Sequence, residues 1–135
     1  MALQFSAAVR NAMLDAIETA VGTAAVLKIR TGAPPANVAT ADSGTVLATL
    51  NLPTDYLAAA SGGVKSKLGT WEDTSADAAG TAAHWRLYAS DGTTAHAQGT
   101  VTATGGGGDL TVDNVVFAAA QSFTVTSWSF TAGNS

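Results

Sequence analysis

The stretch TVTATGGGGDLTVDN, residues 100–114, sets the pattern for most of the chain. Apolar residues alternate with polar ones from Thr100 to Thr104, and they do so again from Asp109 to Val112. This period of two predicts strands that bury one face, and the β-branched Thr and Val suit such strands. The four glycines between them can supply positive φ angles, so we predict that the chain reverses there and forms a hairpin.

A glycine-rich loop between strands could also bind phosphate. A P-loop needs the pattern G-x-x-x-x-G-K-[ST] and a following helix. Here Gly108 is followed by Asp109 and Leu110, which supply no cation, and a carboxylate beside the loop would repel phosphate. We therefore interpret the loop as a structural turn or a turn that faces a partner. Its candidate subunit contacts are Gly105, Gly106, Gly107 and Gly108.

A second hairpin is predicted directly before the glycine stretch. Residues 82–89 alternate, and the turn signal Ser90-Asp91-Gly92-Thr93 follows them. We therefore expect residues 94–104 to pair back on 82–89. One face of the first strand carries Trp85 and Leu87, and the other carries His84, Arg86 and Tyr88.

Over the whole chain, we predict about eight short strands after a single helix. The remaining strands fall at residues 26–30, where Leu27 and Ile29 point inward and Lys28 and Arg30 outward, and at 45–52, 64–73, 109–117 and 123–131. In the last strand the apolar positions shift from odd to even, which predicts a β-bulge near Ser127. Such spacing favours a β-sandwich or jelly roll of antiparallel strands over about residues 24–131.

The N-terminal segment predicts one long helix at about residues 6–21. Ser6 and Gly22 stand where an N-cap and a C-cap glycine belong. The predicted buried stripe is Phe5, Val9, Ala12, Met13, Ala16, Ile17, Ala20 and Val21, and the predicted opposite face is Arg10, Asn11, Asp15 and Glu18. The helix would either cover one end or edge of the sheet or dock as an arm on a neighbouring subunit.

The sequence TGAPPANVATADSG, residues 31–44, predicts a long loop. Pro34 and Pro35 exclude a central strand and favour extended geometry. Loops of this length in a compact domain are often functional or contact another subunit. Pro34 and Pro35 are therefore candidate subunit contacts.

Composition limits the class of protein. The chain has 135 residues, which fits a single domain over residues 1–135. Charged residues make up 12%, against an average of about 25%, and the net charge is -4 without a basic stripe. We therefore expect no nucleic-acid partner. The chain has no Cys and no apolar run near membrane-span length, and its N-terminus lacks the pattern of a secretory signal, so no membrane association is expected.

The chemistry-bearing residues match no known catalytic or metal pattern. His84 and His96 could face each other across the predicted hairpin, with Asp91 or Glu72 nearby, but they lack the spacing of a zinc site. Glu72 and Asp73 are adjacent, so on a strand they point to opposite faces and form no carboxylate pair. We predict no catalytic residue, no metal and no cofactor, and we do not expect an enzyme.

Three tryptophans leave two interpretations open. Trp71, Trp85 and Trp128 could form a platform on which sugars stack, which would make the chain a glycan-binding module. They could instead be core or inter-subunit aromatics. The second interpretation is favoured, because a sandwich core needs large side chains and this chain has few.

Three segments of the chain resemble small proteins from the structural gene clusters of tailed bacteriophages and prophages. They are LKIRTGAPPANVATADSGTVLATLNLP (27–53), GTVTATGGGGDLTVDN (99–114) and FTVTSWSFTAGN (123–134). The resemblance covers most of the chain and carries no catalytic residues. It implies a virion component, assembled in the bacterial host cytoplasm.

Within a virion, the resemblance leaves the position of the protein open. The first hypothesis is a capsid decoration or cement protein, a homo-oligomer that binds the major capsid protein. The alternative is a tail, collar or fibre-attachment component that binds neck or tail proteins.

Overall fold

The computed structural model describes residues 3–133, which form one helix and ten strands. The predicted domain spans residues 1–135, so its first two and last two residues lie outside the described range. The elements are α1 (Ala7–Val21), β1 (Val26–Thr31), β2 (Val46–Asn51), β3 (Val64–Ser66), β4 (Trp71–Asp73), β5 (Gly80–Tyr88), β6 (Ala95–Ala103), β7 (Leu110–Val112), β8 (Val116–Phe117), β9 (Phe123–Val125) and β10 (Ser129–Thr131).

Six strands form one curled, mixed sheet, here called the main sheet. Its order is β2-β1-β5-β6-β7, and β8 pairs with the start of β5. The other four strands form two antiparallel ladders, β3 with β10 and β4 with β9. The mainly β fold with one N-terminal helix is confirmed, whereas a sandwich or jelly roll is not.

One face of the main sheet forms the hydrophobic core, as the alternation in β1 and β5 predicts. Ile29 lies opposite Trp85 and Leu27 lies opposite Leu87, and all four are buried. Side chains from the β4–β9 ladder, including Trp71, join the same cluster. Burying one such side chain contributes about 1.5–3 kcal/mol, so these cross-strand pairs are a main source of stability.

The hairpin predicted from residues 82–104 is confirmed. Strands β5 and β6 pair antiparallel, with Arg86 opposite Gln98. The turn between them is closed by Asp91, whose carboxylate accepts hydrogen bonds from the backbone N–H groups of Thr93 and Thr94 at 2.8 and 2.9 Å. An aspartate that bonds its own turn in this way is a common device for reversing the chain.

The hairpin predicted around the four glycines is wrong, because β6 and β7 run parallel. Val101 lies opposite Leu110, and Ala103 lies opposite Val112. The chain therefore returns along the sheet through residues 104–109 and begins β7 in the direction of β6. The alternation predicted both strands correctly, but it carries no information on their relative direction.

A return this short is unusual, since parallel neighbours are normally joined by a dozen or more residues. Gly105 and Gly107 adopt φ angles of 89° and 77°, which favour glycine. The N–H of Gly108 donates to Thr102 Oγ1 at 3.0 Å, and Asp109 Oδ2 accepts from the N–H of Thr100 at 2.9 Å. The glycines permit the tight path, and the threonines of β6 hold it against the strand.

Three predicted strands are each divided in the structure. The segment 64–73 becomes β3 and β4, the segment 109–117 becomes β7 and β8, and the segment 123–131 becomes β9 and β10, which is why the structure has more strands than the predicted number of about eight. The phase change near Ser127 is real, but a β-bulge is the wrong explanation. Each half of the segment pairs with a different ladder, because β9 binds β4 and β10 binds β3.

The bounds of α1 are confirmed. Ser6 Oγ accepts a hydrogen bond from the N–H of Val9 at 3.2 Å, and the N–H of Gly22 donates to the Glu18 carbonyl at 2.9 Å. Gly22 has a φ angle of 90°, so it ends the helix as a glycine cap does.

The predicted orientation of α1 is wrong, because its polar face turns toward the sheet ladders. Phe5, Val9 and Met13, predicted to be buried, are 41%, 43% and 51% exposed. The buried helix residues are Leu14 and Val21, and Ile17 packs partly buried against the core, so the predicted stripe is confirmed only at Ile17 and Val21. The predicted opposite face instead bonds to other segments of the chain, and its hydrogen bonds fix the helix in this orientation.

Candidate functional site

The second face of the main sheet holds the densest group of polar side chains. Arg30, His84, Arg86 and Tyr88 lie there, and each is at least 94% buried. Arg30 was predicted to point away from the core face, and it does, but a loop covers it and its burial was not predicted. The loop of residues 32–44, here called the strap, folds back over these side chains and removes them from water.

Asp42 is the strap residue that ties these groups together. Its Oδ2 accepts from Arg30 Nη2 at 2.9 Å, and its Oδ1 accepts from Tyr88 OH at 2.7 Å and from Arg86 Nη1. The Asp42 side chain keeps 35% of its surface exposed, while those of both arginines are almost fully buried. One carboxylate is therefore paired with two buried cations from neighbouring strands, and the three charged groups together keep a net positive charge.

Arg86 fastens the strap along its length. Its Nη2 donates to the backbone carbonyls of Val38 at 2.8 Å and Thr40 at 3.0 Å, and its Nε donates to Gln98 Oε1 at 3.1 Å. Each guanidinium nitrogen already has a partner within the chain. Because each of its nitrogens is bonded within the chain and its side chain is 2% exposed, we interpret the site as a structural clamp. The clamp is the group Arg30, Asp42, His84, Arg86 and Tyr88.

The electrostatics of the clamp follow from these contacts. Burial raises the pKa of Asp42, but the hydrogen bonds from Arg86 and Tyr88 and the two guanidinium charges outweigh it and leave the pKa below its ordinary value. Burial and the bond to Asp42 raise the pKa of Tyr88. Asp42 therefore stays ionised and Tyr88 stays a donor across the neutral pH range.

His84 is the titratable group of the clamp whose ordinary pKa lies nearest to neutral pH. Its Nδ1 lies 2.7 Å from the Gly32 carbonyl and donates to it, while Nε2 is buried and has no hydrogen-bond partner. Burial lowers the pKa of His84, and the charges of Arg30 and Arg86 lower it further. A proton on Nε2 would place a third cation beside one carboxylate without an acceptor for the new N–H group.

Acidification should therefore destabilise the protein before Asp42 is protonated. The pKa of His84 lies below 6.5 in the folded chain, so the unfolded chain takes up this proton first as the pH falls through 6.5. Stability is complete above that pH and is lost below it, by up to about 1.4 kcal/mol per pH unit. The loss from Asp42 begins only when the pH falls below 3.8.

Urea unfolding at a series of pH values measures this effect. His84→Gln should flatten the pH dependence just below pH 6.5, relative to the variant's own stability at neutral pH. The control is His96→Gln, which removes an exposed histidine from β6. An unchanged slope in His84→Gln would show that another group causes the acid sensitivity.

The candidate contacts in the two loops have different surroundings. Pro34 and Pro35 are half-buried in the strap, and the Pro35 carbonyl accepts from Gln98 Nε2 at 2.7 Å. Gly105, Gly106 and Gly107 are exposed, whereas Gly108 is half-buried against Thr102. Their role as subunit contacts stays a prediction, and the glycine loop is the more accessible of the two.

The tryptophans form one packed cluster. Trp71 and Trp85 are 1% and 5% exposed, and Trp128 is half-buried between them. The ring centroid of Trp128 lies 5.4 Å from that of Trp71 and 4.7 Å from that of Trp85. Sugar stacking needs an open aromatic face, so this packing favours the core interpretation of these residues.

The two histidines do not face each other. His84 lies opposite Thr100 in the β5–β6 register, so a shared metal between His84 and His96 has no geometric basis. Within residues 3–133, no group of three or more His, Asp or Glu side chains is placed to hold a metal ion. The Asp73 carboxylate has a structural contact, since its Oδ2 accepts a hydrogen bond from the backbone N–H of Thr49 at 2.9 Å.

A third buried cation was not predicted from the sequence. Lys65 of β3 is 2% exposed, and its Nζ lies 2.8 Å from Asp15 Oδ1 and 3.1 Å from Glu18 Oε2 of α1. Asp42 was missed as well. The ion-pair partners of Lys65 and of Asp42 are far apart in sequence. The only indication in the sequence was a cation within the apolar pattern of a strand.

No protein-family model, curated protein or solved structure matches this chain. No helix in the described part of the chain combines the length and the apolar character needed to cross a bilayer.

Proposed function

We propose that this chain is a non-enzymatic structural protein of a tailed-phage virion, and that it acts as a capsid decoration or cement protein. Its resemblance to phage structural proteins in residues 27–53, 99–114 and 123–134 supplies the virion part of the proposal. A β-sandwich is the architecture we propose for the unit, since the aromatic side chains of the short ladders lie against the core face of the main sheet.

The main observation behind the proposal is that the basic side chains are buried or half-buried. Of the six basic residues, Arg30, Lys65 and Arg86 are buried and bonded within the chain, and the other three are half-buried. The side chains that usually bind nucleic acid or anionic substrates are therefore used for internal cohesion. The exposed surface carries seven acidic residues among many Thr, Ser, Ala and Gly residues, and its uncharged parts suit contact with other subunits.

The mechanism follows from the rigidity of such a unit. The clamp fixes the longest loop to the main sheet, and the Lys65 contacts fix α1 to β3. A cement protein stiffens a shell by joining neighbouring capsid subunits, so it must not deform when the shell is under load. Internal ion pairs that fasten the loop and the helix meet that requirement.

Particles of the phage or induced prophage that encodes this sequence provide the test. We expect mass spectrometry to find the protein in purified virions and cryo-electron microscopy to place it on the capsid lattice. Copies confined to the neck or tail would replace this proposal with the tail or collar alternative. Absence of the protein from washed, infectious particles would refute both.

A further inference from the structure

The exposed residues of α1 are uncharged, and the charged side chain of Asp15 is 48% exposed while it is bonded to Lys65. Here the outer helix face means the exposed helix residues, which are all apolar except one threonine. They are Ala7, Ala8, Val9, Ala12, Met13, Ala16, Thr19 and Ala20. Exposed Leu3 and Phe5 extend the same apolar character toward the N-terminus. A surface helix normally shows the opposite arrangement, with its charged side facing water.

The charged residues of α1 hold this inverted orientation in place. Arg10 Nη1 donates to the Ala132 carbonyl at 3.1 Å, and Asp15 Oδ1 accepts from the Ala60 N–H at 3.0 Å. Asp15 and Glu18 are also the two carboxylates that neutralise buried Lys65. Rolling the helix to bury Val9 and Met13 would leave that lysine buried without a counter-ion, at a cost of several kcal/mol. The apolar face is thus fixed outward.

From this arrangement we infer that the outer helix face is a self-association surface, on which α1 of a second copy packs about a two-fold axis. Charge supports a second copy as the occupant. The exposed charged residues elsewhere are all acidic, namely Asp42, Asp55, Glu72, Asp77, Asp91, Asp109 and Asp113. Two copies repel each other across those surfaces, whereas the outer helix face brings no like charges together.

The same charge pattern argues against a lipid surface. A helix that lies on an anionic membrane carries Lys and Arg along the border of its apolar face. Here Arg10, the one basic residue of the helix, is turned inward and bonded to Ala132. The face also has the shape for helix packing, because Ala8, Ala12 and Ala16 form a low ridge beside the larger Val9 and Met13. Ridges with this four-residue spacing fit into the grooves of another helix.

The area of the outer helix face indicates how strongly two copies would associate. A helix of this length is about 22 Å long and about 10 Å wide. With residues 3–6 added, the face covers on the order of 400 Å² per copy, or roughly 800 Å² in the pair, against about 1,600 Å² for a standard stable interface. We therefore expect a weak dimer in rapid exchange, with a dissociation constant of roughly micromolar or above.

Sedimentation velocity of the full chain tests the inference. From about 5 μM to about 1 mM, the wild-type sedimentation coefficient should rise toward that of a dimer. Met13→Lys places like charges across the two-fold axis and should weaken association at least about tenfold. Lysine is a good helix former, so far-UV circular dichroism should confirm that the variant remains folded.

The matched control is Val116→Lys, which adds the same charge at a 57% exposed apolar position on β8. It should associate like the wild type. A wild type that stays monomeric throughout would overturn the inference, even if it bound vesicles or another protein. A dimer that survives Met13→Lys would overturn it as well. The outcome does not depend on the virion proposal, because association is measured on the isolated protein.

Discussion

Replacing Asp42 with alanine is expected to lower the free energy of unfolding by about 3 kcal/mol. The change leaves Arg30 and Arg86 buried beneath the strap with no carboxylate, and it removes the acceptor of the Tyr88 hydroxyl. Removing one partner of a buried ion pair costs about 3–5 kcal/mol, and the 35% exposure of Asp42 places the effect at the lower end.

Equilibrium urea unfolding and limited proteolysis of the strap measure this result. Asp42→Asn keeps the shape but removes the charge, so it should also lower the unfolding midpoint. Asp113→Ala removes an exposed carboxylate and should stay within about 0.5 kcal/mol of the wild type. If Asp42→Ala and Asp113→Ala unfold at the same midpoint, the clamp does not stabilise the fold.

Replacing Gly99 with alanine should cost about 2–3 kcal/mol, because it overpacks the core face of the main sheet. A Cβ atom at this position would lie 2.6–2.7 Å from three ring atoms of Trp85. The Trp85 ring has little room to move, since it packs edge-on against Trp128 with 4.7 Å between the centroids. Gly99 is therefore required by its neighbour across the β5–β6 ladder.

A double-mutant cycle distinguishes this contact from a general loss of strand stability. Trp85→Leu is destabilising alone. In that background, however, Gly99→Ala should lower the free energy of unfolding by about 1–3 kcal/mol less than it does in the wild type. Gly133→Ala is the control, because its Cβ would meet no atom within 4 Å. Equal costs of Gly99→Ala with and without the indole ring would rule out the proposed clash.

The parts of the fold that could be predicted from sequence rest on local signals. The bounds of α1 follow from Ser6 and Gly22, which act on backbone groups within one helical turn. The β5–β6 hairpin follows from the Asp91 turn, and the core face follows from strict alternation around Trp85. Each of these signals lies within a few residues of the structure that it determines.

The features that were predicted wrongly or not at all depend on partners distant in sequence. The face that α1 buries is decided by Lys65, which lies 50 residues from Asp15. The burial of Arg30 depends on whether the strap turns back over the sheet. The direction of β7 depends on how Thr100 and Thr102 hold the glycine return. Hydrophobic periodicity shows which residues of an element share an apolar face. It does not show which face packs against the rest of the protein when the polar face can form ion pairs with a buried cation.

The clamp has a consequence for the order of folding. Asp42 must meet Arg86, which lies 44 residues later in the chain, so the strap cannot close until β1 and β5 have paired. Contacts of such high sequence separation form slowly, because the intervening chain must be ordered first. Closure of the strap is therefore expected as a late step of folding. The time at which the strap becomes resistant to a protease during refolding would measure when the native state is complete.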